Sequence, residues 1–444
     1  MANILPFKGI RYNQNIIGDI SKVATPPYDV ISKEEQEKFL KRNPNNIIRL
    51  ILGSTKDKNP GEFHTNAAEY FSKWCAEDIL VQDALPALYQ TTIEYSVNNK
   101  KMIRSGIIAL AKLEPFDKGV ILPHEQTFSK VKSERLDLLK KCHANFSSIF
   151  SIYSDPENLI QQKIKESVGD SLPDIDFVDD SGHRHKLWSV TDPLVHGSVS
   201  AAMKKKTVFI ADGHHRYETA LNYRDLVAKN NPSFDSDHPA NFIMMYLCGM
   251  EDPGLSILPA HRILTGIDPS ALNGLIEKCR EFFDVTSIPV ADGSIDKGVD
   301  KLVSALRENA ACNIMGVCIK GIEKIYLMKL KPGVMDKKYE NELSVSIRNL
   351  DVTVLSRLIF KDILDFNQSM LDDENLFSYT TDESEAVKKI LSGRSDIAFI
   401  LNSTKVDQVR RIAKEGKVMP RKSTYFYPKV ITGQVMNDLG AAQK

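Results

Sequence analysis

Cysteine is scarce in this chain of 444 residues: six, at Cys75, Cys142, Cys248, Cys279, Cys312 and Cys318, and no CxxC pair among them. A chain this long needs no disulfide framework, so its thiols fit a reducing, cytoplasmic setting. Long apolar runs are missing as well. No stretch approaches the ~20 apolar residues that span a bilayer, and the opening MANILPFKGIRYNQ has no apolar segment of signal-peptide length, so neither membrane insertion nor secretion is expected. Excess charge of either sign is absent. Lys+Arg and Asp+Glu both number 58, which removes the overall basic field that draws proteins to nucleic acid or anionic lipid. The phosphate loop GxxxxGKS/T, the dinucleotide fingerprint GxGxxG and the nucleophile elbow GxSxG do not occur. P-loop NTPases, dinucleotide-binding Rossmann units and α/β-hydrolases thereby lose their usual evidence.

What is present is the composition of an ordinary folded protein, 42% hydrophobic and 26% charged, long enough for two or three packed units of ~150 residues. The spacing predicts a polar helix from about Ser32, with Glu34 and Glu35 in its first turn, then the apolar run Ile47 to Leu52. An amphipathic helix is expected between Gly61 and Asp83 through Ala68, Phe71, Trp74 and Cys75, followed by strands from Ala87 to Tyr95 and from Met102 to Leu113. A helix over 134–143, a strand from Ser148 to Tyr153, and a hairpin from Ile175 to Val190 turning at Asp180-Ser181-Gly182 come next. Thr207 to Ala211 reads as a short strand. It runs into a helix carrying Tyr217, Ala220, Leu221 and Val227 on one face, and Asn241 to Leu247 is a further strand. Beyond residue 265, helices near 270–283, 298–309, 351–364 and 383–392 alternate with strands near 313–320, 324–330 and 396–401. The expected fold class is α/β with mixed α+β sheets, divided into a region 1–265 with an insertion around 128–200 and a C-terminal α/β domain 266–444.

The sharpest chemical signal is Ala211-Asp212-Gly213-His214-His215-Arg216, where a strand ends and a helix starts. Helix N-termini present unpaired amides and partial positive charge, which favours phosphate oxygens. Gly213 permits a tight turn or close approach, His214, His215 and Arg216 add donors, and Asp212 suits a Mg²⁺ that shields phosphate charge. The plain alternative is that Asp212 caps the helix and the histidines lie on the surface. A second signal is Pro123-His124-Glu125-Gln126-Thr127, ahead of Lys130, Lys132 and Arg135. A carboxylate just past a strand end is a candidate general base, Glu125 here, against the alternative of an exposed loop glutamate. HExxH is excluded, since Phe128 stands four residues after His124. His183 and His185 follow a hairpin turn without a matching Cys/His set and read as surface residues. His261-Arg262 and Lys422-Ser423-Thr424 are cation-plus-hydroxyl clusters of the kind that hold phosphate or carboxylate, with a solvated surface as the alternative.

The DGHHR box resembles the phosphate-binding box of the ParB/sulfiredoxin superfamily, especially its free-serine kinase branch. Wider pieces resemble a long bacterial and protist family, formerly a domain of unknown function, that includes pyrophosphate-dependent serine kinases: TPPYDVIS (25–32), NPNNIIRL (43–50), LPHEQT (122–127), IADGHHRYETAL (210–221), DPGLSILPAHR (252–262) and PRKSTYFYPK (420–429). The resemblance implies a ParB/sulfiredoxin-like catalytic core and transfer of a phosphoryl group, from pyrophosphate or a nucleotide, to the hydroxyl of free L-serine. It implies Glu125 as the base, Asp212 and His214 in catalysis with Mg²⁺ on Asp212, and Gly213, His215 and Arg216 on phosphate. The same pieces bring in His261, Arg262, Lys422, Ser423 and Thr424 as further phosphate contacts. Free serine also needs a clamp for its carboxylate, for which Arg262, Arg49 and Arg104 are candidates, and a partner for its ammonium, for which Asp29 is one. The alternatives are a ParB-like nucleotide- or DNA-binding regulator, a phosphate sensor, and a phosphoserine phosphatase working at the same site.

Overall fold

The computed structural model describes all residues except 55, 56, 58, 98, 126–128, 291–294, 374 and 441–444, and the side chains of 129–133. The chain forms two compact units. The first comprises Met1–Pro123, Thr127–Ser256 and Pro428–Lys444; the second comprises His124–Gln126 and Ile257–Tyr427.

The first unit is built on a nine-stranded mixed sheet. Its strands in chain order are β1 (Ile4–Leu5), β2 (Leu88–Val97), β3 (Lys100–Lys112), β4 (Ile121–Leu122), β5 (Ile149–Tyr153), β6 (Ile175–Val178), β7 (Arg184–Val190), β8 (Val208–Asp212) and β9 (Phe242–Gly249). They lie in the order β4-β8-β5-β9-β3-β2-β7-β6, with β1 paired to β3. β8 runs parallel to β4 and antiparallel to β5, and β5 runs parallel to β9. The strands β5 and β9 are buried along their whole length, as expected of near-continuous apolar runs with both faces covered. Ile149, Ile210, Met245 and Leu247 pack with Tyr217 and Ala220 of the helix after β8, in one core. Residues within 128–200 thus supply β5 to the interior of the sheet and the hairpin β6–β7 to its far edge.

Local chemistry sets the helices where the sequence pattern put them. Helix α1 (Lys33–Arg42) opens on a capping box: the Glu35 amide donates to Ser32 Oγ at 3.2 Å and the Ser32 amide to the Glu35 carboxylate at 2.8 Å. Helix α2 (Pro60–Ala76) starts at Pro60 after an Asn59 cap and stops short of Asp83, because Leu80–Gln82 pairs as a strand with Ile10–Tyr12. Helix α3 (Ser129–Cys142) precedes β5.

The second unit carries a six-stranded antiparallel sheet of β10 (His261–Leu264), β11 (Phe283–Pro289), β12 (Ile314–Ile319), β13 (Lys324–Leu330), β14 (Phe377–Thr380) and β15 (Ile397–Leu401), ordered β11-β13-β12-β15-β10-β14. Two helices, Ile295–Glu308 and Glu383–Leu391, bury Leu302, Leu306, Val387 and Ile390 on it. The helix expected near 270–283 is instead two short segments, Pro269–Leu272 and Leu275–Cys279, separated at Asn273-Gly274 with Gly274 left-handed. Its expected end is taken by β11. The mixed α/β, α+β class expected from the pattern is the class observed.

Candidate functional site

In the first unit, β8 ends in Asp212, Gly213 turns with φ +93°, and the 17-residue helix α4 (His214–Asn230) begins. The cap position is Gly213 rather than Asp212, and glycine has no side chain to cap with. Asp212 is engaged by two cations: Arg216 Nη2 donates to Oδ2 at 2.9 Å, and Lys429 Nζ donates to Oδ1. Burial by itself raises the Asp212 carboxyl, but Lys429 and Arg216, with His214, outweigh it and hold the group below the usual carboxylate range. The positive φ favours glycine at position 213, and a Cβ there would lie 2.9–3.0 Å from the Arg216 guanidinium, which would have to shift.

Arg216 is fixed further by donation from Nη1 to the Ser148 carbonyl at 2.5 Å, and its Nε is buried with no hydrogen-bond partner among the described residues. Tyr28, Arg135 and Arg216 line a cavity of about 70 Å³. Arg135 stacks its guanidinium 3.8 Å from the Tyr28 ring and donates to the Ile51 carbonyl at 2.7 Å. Burial raises the Tyr28 hydroxyl, Arg135 and Arg216 pull it back, and Asp29 and Asp212 push it up again, so these five groups share one electrostatic environment. Asp29 itself is exposed, in the short turn Tyr28–Val30 of the TPPYDVIS segment. His214 and His215 are half-buried rather than on the open surface.

Glu125 belongs to the second unit. It is not an exposed loop residue, since its side chain is 15% exposed. Its carboxylate sits in a cradle of consecutive backbone amides: Lys422 N donates to Oε2, and Ser423 N and Thr424 N donate to Oε1, all at 3.2 Å, with Thr424 Oγ1 donating to Oε1 at 3.0 Å. Lys422 has φ +57°, the left-handed turn that lets successive amides converge on one anion. The cluster singled out for anion binding therefore does hold an anion, the chain's own carboxylate. His124 lies behind it, fully buried, with Nε2 2.7 Å from Thr424 Oγ1.

Other expected contacts are placed differently. His261 is neither a phosphate donor on a surface nor solvated: it is fully buried in β10, and its Nδ1 accepts from the Leu401 amide at 3.1 Å. Arg262 donates to the carbonyls of Ala260 and, at 2.8 Å, Lys422, and burial lowers its ordinary pKa. Arg49 donates to the Pro44 and Leu40 carbonyls at 2.8 Å. Arg104 is 1% exposed, bonds to Tyr246 Oη and the Pro428 carbonyl, and lies over the Phe150 ring. These guanidiniums organise backbone, and neither Arg49 nor Arg104 is carried forward as a serine clamp. Conversely, Lys429 and Tyr28 carry no individual signal in the sequence, although both fall inside quoted segments, and Arg135, one of the cations after the Pro123–Thr127 signal, joins Tyr28 and Arg216. His183 and His185, read as surface residues, are 9% and 3% exposed.

A family model described as a protein of unknown function, DUF1015, matches residues 4–353. The chain belongs to the DUF1015 family. Solved structures similar to this DUF1015 chain include a free serine kinase in complex with AMP, at 13% identity and TM-score 0.36, covering 74% of this chain and 90% of that one. A conserved hypothetical protein from Pyrococcus furiosus is similar at 13% identity and TM-score 0.34, covering 75% and 95%. SbnI from Staphylococcus aureus, with a C-terminal truncation, is similar at 11% identity and TM-score 0.34, covering 73% and 86%. At these scores nothing about activity passes from them to this chain. A search of curated proteins found no significant match.

Proposed function

We propose that this protein is a phosphotransferase that moves a phosphoryl group from pyrophosphate to the hydroxyl of free L-serine, releasing orthophosphate and O-phosphoserine. The observation that carries the proposal is the box in the first unit: a strand–Gly–helix junction with Arg216 and Lys429 converging on one carboxylate, and Arg216 Nε buried with no hydrogen-bond partner among the described residues. Such an arrangement offers fixed amides and two cations to an anion. Phosphoryl transfer asks mainly for positioning and positive charge around the moving group.

In the reaction the serine oxygen forms the new O–P bond while the bridging P–O bond of pyrophosphate breaks, and the hydroxyl proton passes to a carboxylate. Glu125 takes that proton in this proposal, on the strength of the LPHEQT resemblance. Arg216, Lys429 and the first amides of α4 hold phosphate oxygens, with His214 and His215 beside them. In the same reading the first unit is a ParB/sulfiredoxin-like core.

Mg²⁺ normally keeps several waters and takes only one or two carboxylates together with phosphate oxygens. Asp212 fits as its single protein ligand, in competition with Lys429 for Oδ1. When bound, the ion would neutralise phosphate charge. The absence of any nucleotide motif is compatible with a donor that has no nucleoside.

The test is to incubate purified protein with L-serine, Mg²⁺ and, in separate reactions, pyrophosphate, ATP, ADP or CTP, and to look for phosphoserine by mass spectrometry. Product with pyrophosphate is expected. Product with none of the four removes the kinase reading, and release of phosphate from added phosphoserine alone replaces it with a phosphatase.

A further inference from the structure

The hairpin β6–β7 brings together a group of side chains for which the proposed reaction has no use. Asp179 follows β6 directly, and the turn Asp180-Ser181-Gly182 returns the chain to His183 and His185. Two residues apart on an extended segment, the histidines project from the same face. The turn fixes the aspartate: Oδ1 accepts from the Ser181 and His183 amides, both at 2.9 Å. That leaves Oδ2 directed at the two imidazoles, 2.9 Å from His185 Nε2 and 3.4 Å from His183 Nδ1, and the three donor atoms all lie within 4.8 Å of one another.

Packing sets the rings in that orientation. His185 stacks on Phe177 at 5.1 Å and 18°, and His183 stands edge-on to Tyr95 at 6.1 Å and 83°. Both rings are buried, while the Asp179 side chain keeps 20% of its surface exposed, which leaves one open side. The nearby acidic groups do not add to the cluster: Asp176 pairs with Arg184, and Asp180 pairs with Lys38 and Arg42.

We infer that Asp179, His183 and His185 form a binding site for one transition-metal ion of the Zn²⁺ class, with three protein ligands and a fourth position open to water. Zn²⁺ binds imidazole nitrogen and carboxylate oxygen at ~2.0–2.2 Å, so tetrahedral ligands stand ~3.4 Å apart. The two separations from Oδ2, 2.9 and 3.4 Å, lie just below and at that value, and small rotations of the two rings bring all three donors onto one ion. Two nitrogens and one oxygen suit Zn²⁺, Co²⁺, Ni²⁺ or Cu²⁺ rather than Mg²⁺ or Ca²⁺, which take oxygen ligands. The neutral imidazoles coordinate through His183 Nδ1 and His185 Nε2 and keep their remaining proton on the other ring nitrogen. Bound there, the ion ties the edge strand β6 to β7 at the turn end of the hairpin, independently of what the Asp212 box does.

The experiment titrates ZnCl₂, and separately CoCl₂, into the full chain after dialysis against chelator. One Zn²⁺ per chain is expected by calorimetry, a rise in melting temperature with Zn²⁺, and the visible bands of four-coordinate Co²⁺. Affinity should fall at least tenfold in His183→Asn and in Asp179→Asn and persist in Asp212→Asn, which separates the two candidate cation sites. Absence of micromolar binding to the unsubstituted chain, or unchanged binding in folded His183→Asn, overturns the inference. Imidazole ¹⁵N spectra of the unsubstituted protein give a reading that needs no variant: Zn²⁺ must shift two buried histidines, and unchanged signals for both reject the site.

Discussion

Lys429 and Asp212 are 217 positions apart in the chain, yet the lysine ammonium donates to Asp212 Oδ1 inside one compact unit. Both side chains are 13% exposed, so the pair is shielded from solvent. Arg216 holds the other oxygen. The carboxylate therefore orders two cations at the head of α4.

Removing that second cation isolates its part in the reaction. In Lys429→Met, serine phosphorylation from pyrophosphate should fall by about 10²-fold or more, with circular dichroism unchanged, because Arg216 still balances Asp212 while one phosphate contact is lost. Turnover within a few-fold of the unsubstituted chain would show that Lys429 is a purely structural partner.

Gly213→Ala tests the turn. With φ +93° and a Cβ 2.9–3.0 Å from the arginine, the substitution should destabilise the protein by about 1–3 kcal/mol, read as a lower urea midpoint at unchanged slope. Activity should drop with it, since Arg216 has to move. An unaltered midpoint would mean that the junction relaxes freely.

Glu125→Gln separates the two tasks of that side chain. The neutral amide keeps the size but offers only one acceptor oxygen to three amides and a hydroxyl, so the melting temperature should fall modestly. If Glu125 also takes the serine proton, kcat should fall ~10²–10⁴-fold with KM for serine little changed. A lower melting temperature with normal kcat would confine Glu125 to ordering the Lys422–Thr424 turn.

Asp351, in the second unit, gives a pH-dependent prediction. Burial raises its carboxyl to about 7, although Asn313 Nδ2 donates to it at 2.7 Å. A carboxyl raised on folding contributes its stability fully below the unfolded value of ~4 and loses it as the pH rises through about 7. Asp351→Asn should therefore be the more stable protein at pH 8, by roughly 1–2 kcal/mol after allowing for its partial exposure, with the difference shrinking towards pH 5. A difference independent of pH, measured by denaturant unfolding at both values, would contradict the shift.

Local signals in the sequence proved dependable where the physics is local. The strand–Gly–helix junction at Asp212–Arg216, the helix start near Ser32 and the Ile175–Val190 hairpin are all set by neighbouring residues, and each was expected. Asp179 lay in the same hairpin as His183 and His185, four and six positions before them, so the spacing DxxxHxH was legible but unweighed. The Lys429–Asp212 pair was not legible, because one charged residue among 58 cations carries no mark of a partner over 200 positions away. His261 misled for a related reason. Beside Arg262 it looks like an anion contact, and only the sheet shows it buried and accepting from Leu401. The amide cradle of Lys422–Thr424 has the same origin as the anion reading given to its side chains, but its occupant, Glu125, lies 297 positions before Lys422.

In the proposed reaction the Asp212–Arg216 junction holds the phosphate of the donor. Calorimetric titration of Mg²⁺-pyrophosphate into the unsubstituted protein and into folded Arg216→Met should show binding at least tenfold weaker in the variant, and equal affinity in the two proteins would mean that the junction does not hold the donor.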